Sequence, residues 1–174
     1  MEIKQHIEKK IKIDCFFIEG EVEIDSEYFI SKIKQGFEHP DNKNYQTNIE
    51  GKMTPWNFFN NDEKFNEVIT KIINYLDYNI PMEKYYLSEA WGFCVEPNRR
   101  TKAHDHYPNL WSGVLYLNDC NLSLDFKELG KSVKATKGRF VIFSSFLIHE
   151  TKLNETNTEK WGISFNFKHK PLTR

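Results

Sequence analysis

The chain has no apolar run near the roughly 20 residues that a membrane-spanning helix needs. Its first residues, MEIKQHIEKKIKID, are charged where a secretion signal has an apolar stretch. Neither a membrane span nor a signal peptide is therefore expected, and a cytoplasmic location is the simplest expectation. Cysteine is scarce. Cys15, Cys94 and Cys120 are odd in number, far apart and show no CxxC spacing, which argues against a disulfide framework and a cysteine-based zinc site. Reduced thiols account for them. An excess of one charge is also missing: 24 Lys and Arg stand against 25 Asp and Glu, for a formal net charge of -1. No basic footprint for nucleic acid and no acidic tail follows. Internal repeats, low-complexity segments, a glycine-rich phosphate loop, a nucleophile elbow and a Ser-His-Asp arrangement are absent too, so a hydrolytic reading has no support.

What remains is aromatic. Phe, Tyr and Trp make up 15% of a chain whose hydrophobic fraction is only 39%, so large rings must supply much of the core. At 174 residues a single domain, 1–174, is expected. Residues 1–84 read as a mainly helical support region. CFFIEGEVEI (15–24) is extended. SEYFISKIKQGF (26–37) has Phe29, Ile30, Ile33 and Phe37 at helical spacing, with Ser26 as N-cap. Residues 38–62 read as an irregular loop whose MTPWNFF docks aromatics on the core. In 61–80, Phe65, Val68, Ile69, Ile72, Ile73 and Leu76 form one apolar stripe that Pro81 ends. From 85 to 169 the pattern changes to short β-branched and aromatic runs separated by turns: 85–95, 110–118, 122–126, 132–136, 139–145, 146–150 and 161–169. The expectation is an α+β fold with a sandwich or barrel of strands and the N-terminal helices packed outside.

Six histidines are present. His6, His39 and His169 lie in polar or terminal surroundings and read as surface residues. His104 and His106 form His-x-His in KAHDHYPN, and side chains at i and i+2 of an extended chain face the same way. His149 ends the apolar run IFSSFLIHE. Two imidazoles from one strand end and a third from a distant strand suit Fe, Zn, Cu or Ni and leave open positions for other ligands. An isolated His-x-His near a turn is more often a surface pair, so the neighbouring residues carry weight. Arg99, Arg100 and Lys102 precede the pair, either as a solvated loop or as an attractor of an anionic substrate.

Those neighbours resemble a known family. HDHYPNLWSGVLYLN (104–118) is similar to the His-x-His-Pro…Ser-Gly-Val-Tyr-Tyr-Leu stretch of 2-oxoglutarate/Fe(II)-dependent oxygenases common in bacteria and phages. GRFVIFSSFLIHE (138–150) resembles that family's Gly…Phe-Pro-Ser-Trp-Leu…His strand pair, and KWGISFNF (160–167) its closing Arg-Ile-Ser-x-Ser-Phe-Asn strand. The resemblance covers roughly 85–168 and implies a double-stranded β-helix, or jelly roll. It also implies a dioxygenase that uses Fe(II), O₂ and the cosubstrate 2-oxoglutarate to hydroxylate a C–H bond of a peptide or small molecule, releasing succinate and CO₂. Carried over, His104, His106 and His149 are metal ligands. Lys160 stands where the family has Arg and would grip the far carboxylate of 2-oxoglutarate, as a point charge rather than a bidentate fork; otherwise it is a solvated turn lysine, and Arg139 is next in line. Ser164, Tyr116 and Ser112 are candidate cosubstrate contacts, although Tyr116 could be core and Ser112 with Gly113 could serve tight packing.

The chain departs from the pattern at the ligands. The usual triad is two histidines and a carboxylate, but here the i+2 residue is His106. Asp105 faces away on a regular strand unless a bulge turns it inward, and Asp125 in SLDF is a further candidate. Two rivals stay open. One is a cupin-like three-histidine dioxygenase without cosubstrate, which lacks the expected Glu after His-x-His. The other is a non-catalytic metal-binding jelly-roll module. Trp91, Phe93, Trp111, Phe143 and Trp161 are candidate pocket walls or core.

Overall fold

Alternation along the late strands builds a sheet with two unlike faces. The computed structural model describes residues 15–42, 48–77 and 84–171. Ten strands, in chain order, are β1 (Phe17–Glu21), β2 (Lys52–Met53), β3 (Tyr85–Val95), β4 (Thr101–His104), β5 (Trp111–Tyr116), β6 (Ser123–Phe126), β7 (Lys131–Lys134), β8 (Arg139–Ser144), β9 (His149–Thr151) and β10 (Lys160–His169). Two helices, α1 (Ser26–Phe37) and α2 (Glu63–Asp77), precede most of them. The strands form a six-stranded sheet ordered β1-β8-β5-β10-β3-β2 and a four-stranded sheet ordered β4-β9-β6-β7. The registered neighbours in both are antiparallel.

Successive side chains of a strand point to opposite faces. On β10, Trp161, Ile163, Phe165 and Phe167 join Ala90, Cys94, Leu115, Phe140 and Ile142 in one buried cluster with Phe29 and Ile33 of α1 and Phe65, Ile69 and Ile72 of α2. That face is covered by helices. The opposite face contributes Trp91, Phe93, Val114, Tyr116, Val141 and Phe143 to a second cluster, with Leu124 and Phe126 of β6 and Val133 of β7. This second cluster lies between the two sheets. A buried aromatic or large aliphatic side chain contributes roughly 1.5–3 kcal/mol, so both layers, each mixing aromatic and aliphatic residues, stabilise the fold.

The helices form where the apolar spacing predicts them. The cap of α1 is Asp25, not Ser26: its carboxylate accepts the Tyr28 N–H at 3.1 Å, while Ser26 is the first helical residue and is buried. Asp62 does the same for α2, accepting the Phe65 N–H at 3.0 Å, and also accepts the Tyr28 hydroxyl at 2.7 Å. The two helices are thus tied together at their starts. α2 begins at Glu63, two residues later than expected, and is followed to Asp77; 78–80 and the Pro81 stop lie outside the described residues. The region 38–62 is less irregular than expected, since β2 pairs with β3, and Trp56 packs edge-on against Trp91 at 4.6 Å between ring centroids. β1 and β2 form the two edges of the large sheet, so the N-terminal region supplies strands as well as helices. The expected strand 146–150 is shorter. Phe146–Ile148 make a turn, and only His149–Thr151 pair as a strand. No described helix is long and apolar enough to cross a membrane.

Candidate metal centre and the cavity behind it

β4 and β9 lie side by side in the small sheet with His104 directly opposite His149. His104 ends its strand, and His106 sits in the turn that follows, where its N–H donates to the Ser145 carbonyl at 2.8 Å. A continuous strand was the simpler expectation, but the turn brings His106 to the same point. The candidate ligand atoms of His104, His106 and His149 all lie within 4.8 Å of one another. The Nε2 atoms of His106 and His149 are 3.3 Å apart, and those two rings are nearly parallel at 3°.

Backbone carbonyls orient two of the rings. His104 Nδ1 lies 2.7 Å from the Lys102 carbonyl, and His149 Nδ1 lies 2.9 Å from that of Leu147. A carbonyl can only accept, so these contacts assign the proton to Nδ1 and leave the Nε2 lone pairs facing the shared point. Burial holds all three imidazoles below the ordinary histidine range. His149 is pushed down to about 3, with the neighbouring His104 adding to the effect of burial. His106 is well below its usual value for the same reasons, and His104 is lowered by burial alone. Neutral imidazole is the form that binds a metal ion, and the site offers three.

No carboxylate joins this group among the described residues. Asp105 is exposed and its carboxylate accepts the Tyr107 N–H at 3.0 Å, so the turn does not bring it inward. Asp125 is engaged by the Ser132 hydroxyl at 2.5 Å.

The histidines line one part of a small cavity between the sheets, with Trp91, Phe93, Phe143, Tyr116, Ser164 and Lys160 elsewhere on its wall. Lys160 is 2% exposed. Its ammonium lies 5.8 Å from the Phe93 ring centre and 5.6 Å from that of Tyr116, and among the described residues it forms no salt bridge. Burial lowers its pKa to about 8. The Tyr116 hydroxyl and the Trp91 indole N–H are also buried without a hydrogen-bond partner. Unpaired buried polar groups are costly, and both residues line this cavity.

Other candidates go elsewhere. Ser112 lies on the same sheet face, but its hydroxyl donates to Asn166 Oδ1 at 2.7 Å, outside the cavity wall. Gly113 serves packing, because a Cβ there would meet the Phe165 ring at 2.3 Å. Arg139 pairs with Glu21 at 2.9 Å and is not on the cavity wall. Trp111 and Trp161 face the helices. Arg100 and Lys102 both pair with Glu50, at 3.6 and 3.4 Å, which neutralises much of the basic patch. His39 and His169 are exposed, while His6 is outside the described residues. Sequence reasoning missed Glu89 and Asn166, which continue the Ser112 hydrogen-bond chain. The available signal was Asn166 itself, a polar residue between two phenylalanines in a strand otherwise built for the core.

No family model matches the chain, and no curated protein is similar to it in sequence. Solved structures are similar. The viral collagen prolyl hydroxylase of Paramecium bursaria Chlorella virus-1 aligns with a TM-score of 0.68 at 13% identity, covering 97% of this chain and 99% of that one. A prolyl-4-hydroxylase of Pseudomonas putida gives 0.66 at 14% identity over 89% and 93%. HygX of Streptomyces hygroscopicus, solved with nickel and 2-oxoglutarate bound, gives 0.67 at 11% identity over 90% and 84%. At such identities the likeness is one of fold.

Proposed function

We propose that the chain is a non-haem Fe(II)- and 2-oxoglutarate-dependent dioxygenase built on a double-stranded β-helix. The observation that carries this reading is the pairing of two features in one cavity. Three neutral imidazoles converge at one part of its wall, and a buried lysine without a counter-ion stands elsewhere on it. A ligand joining them must offer a metal-binding group and a carboxylate, and 2-oxoglutarate has both.

His104, His106 and His149 would hold the metal, with the Lys102 and Leu147 carbonyls fixing the first and last rings. Lys160 would bind the far carboxylate as a point charge, helped by the Tyr116 hydroxyl and Ser164. Ser112 acts only through Asn166. Trp91, Phe93 and Phe143 keep water from the cavity. The bound iron and 2-oxoglutarate supply oxidation by O₂, releasing succinate and CO₂ and hydroxylating a substrate C–H bond. With no anionic ligand among the described residues, the site is one unit more positive than a two-histidine-one-carboxylate site, which favours the cosubstrate dianion.

The absence of a carboxylate equally favours a second reading, a three-histidine dioxygenase without cosubstrate. Anaerobic reconstitution with Fe(II), calorimetric titration with 2-oxoglutarate, and then succinate measured against O₂ uptake distinguish them. Oxoglutarate binding with succinate release is expected. O₂ uptake on a substrate panel without oxoglutarate would favour the second reading. Metal binding with neither activity would reduce the chain to a binding module.

A further inference from the structure

Across the cavity face of the large sheet, side chains fall in rows set by strand register. Lys160 lies opposite Val95. Gly162 lies between Phe93 and Tyr116, Ser164 between Trp91 and Val114, and Asn166 between Glu89 and Ser112. The histidines stand by the third and fourth rows: the Trp91 and His106 rings are 6.0 Å apart, and Phe143, which is registered with Ser112, lies 4.8 Å from the His149 ring. The fourth row therefore lies at the metal-centre end of this face, three rows away from Lys160.

That row is polar and held in place. Ser112 donates to Asn166 Oδ1 at 2.7 Å, and Asn166 Nδ2 donates to Glu89 Oε2 at 2.8 Å. Ser112 and Asn166 are 1% and 2% exposed. The Asn166 backbone carbonyl accepts the Ser88 hydroxyl at 3.1 Å, at the irregularity that interrupts the β3–β10 register. Both side-chain bonds run one way. With its carbonyl taken by Ser112, the Asn166 amide can offer Glu89 only N–H, which suits an ionised carboxylate. Glu89 is half-buried, and no lysine or arginine among the described residues pairs with it. A member serving only as an internal brace would do as well neutral. A fixed negative charge without a counter-ion leaves room for a cation.

We infer that Glu89, oriented by Asn166 and Ser112, anchors a cationic group of the primary substrate, an ammonium or guanidinium, at the metal-centre end of this face, away from Lys160. The inference rests on the oxygenase reading, which assigns the Lys160 side to the cosubstrate and the opposite side to the substrate. The substrate class is then a basic peptide or an amine.

The test uses the full chain loaded with Zn(II) and 2-oxoglutarate. Capped Gly-Arg-Gly and Gly-Lys-Gly are compared with the uncharged citrulline peptide and with Gly-Glu-Gly by saturation-transfer NMR. Cationic probes should bind at least about tenfold more tightly than citrulline, the discrimination expected of a charge-assisted hydrogen bond. Glu89→Gln, which still accepts the Asn166 N–H, should abolish the difference while 2-oxoglutarate affinity is retained. Equal binding of all probes, no binding of any, or a preference that survives Glu89→Gln overturns the proposal. Zinc and 2-oxoglutarate binding are measured separately by calorimetry. If neither binds, the oxygenase reading fails by that result, and the probe comparison still decides the role of Glu89.

Discussion

The two faces of β10 divide the labour of the molecule. Trp161, Ile163, Phe165 and Phe167 point to the helices and join the apolar cluster there. Lys160, Ser164 and Asn166 point between the sheets, and Gly162 leaves room there for the Phe93 ring, which a Cβ would meet at 2.5 Å. One face concentrates burial energy. The other holds polar groups that cost stability and make sense only with a ligand. Stability and binding should therefore respond to different residues of the same strand, and substitutions can test whether they do.

The largest effect is expected on the binding side. His149→Ala should lower affinity for Co(II) or Zn(II) by more than about a hundredfold, since even the loss of an outer-shell partner costs 10–100-fold. His106→Asp, which introduces a carboxylate at the position, should keep metal binding. Undiminished affinity in His149→Ala, read by Co(II) absorbance or calorimetry, would remove that residue from the site.

The legibility of the sequence follows the same division. His104, His106 and His149 could be picked out because few residue types bind metals through nitrogen and their spacing implies two strands. The core could be read because period-2 and period-3.6 patterns follow directly from burial. β2 and β4 were not legible, since two to four residues are too few for alternation to register and their pairing is decided by distant partners. Phe146–Ile148 read as a strand because its residues are apolar, yet Phe146 and Ile148 are exposed in a turn. Glu89 looks like a solvent-facing strand residue until Asn166 is seen opposite it.

On the core face, Phe165→Ala should destabilise the fold by about 3–5 kcal/mol. Phe165 is fully buried and fills the space left by Gly113. Urea denaturation gives the number. The folded fraction should still bind metal and 2-oxoglutarate normally; a matching loss of affinity would mean the two faces are coupled.

Lys160→Ala should do the reverse. Losing one partner of a buried charge pair costs about 2–5 kcal/mol in binding, so 2-oxoglutarate affinity should fall by roughly 30-fold or more. Metal affinity should be nearly intact. Unchanged oxoglutarate affinity would move the clamp away from Lys160.

The smallest effect distinguishes a stored charge from a structural one. Burial lowers the Lys160 pKa from 10.5 to about 8. Between those values the unfolded chain keeps a proton that the native chain has released. Stability from this group is therefore present above 10.5 and is lost as pH falls through about 8. At neutral pH the ligand-free protein carries a buried ammonium costing on the order of 3 kcal/mol. Lys160→Met removes that cost and should be more stable than the wild type near pH 7. The gap should narrow as pH rises towards 10, while titrations of groups that Lys160 does not influence cancel in the difference. Urea midpoints of the two proteins across that range measure it. Parallel curves would mean that the ammonium is already satisfied in the free protein and does not wait for a carboxylate.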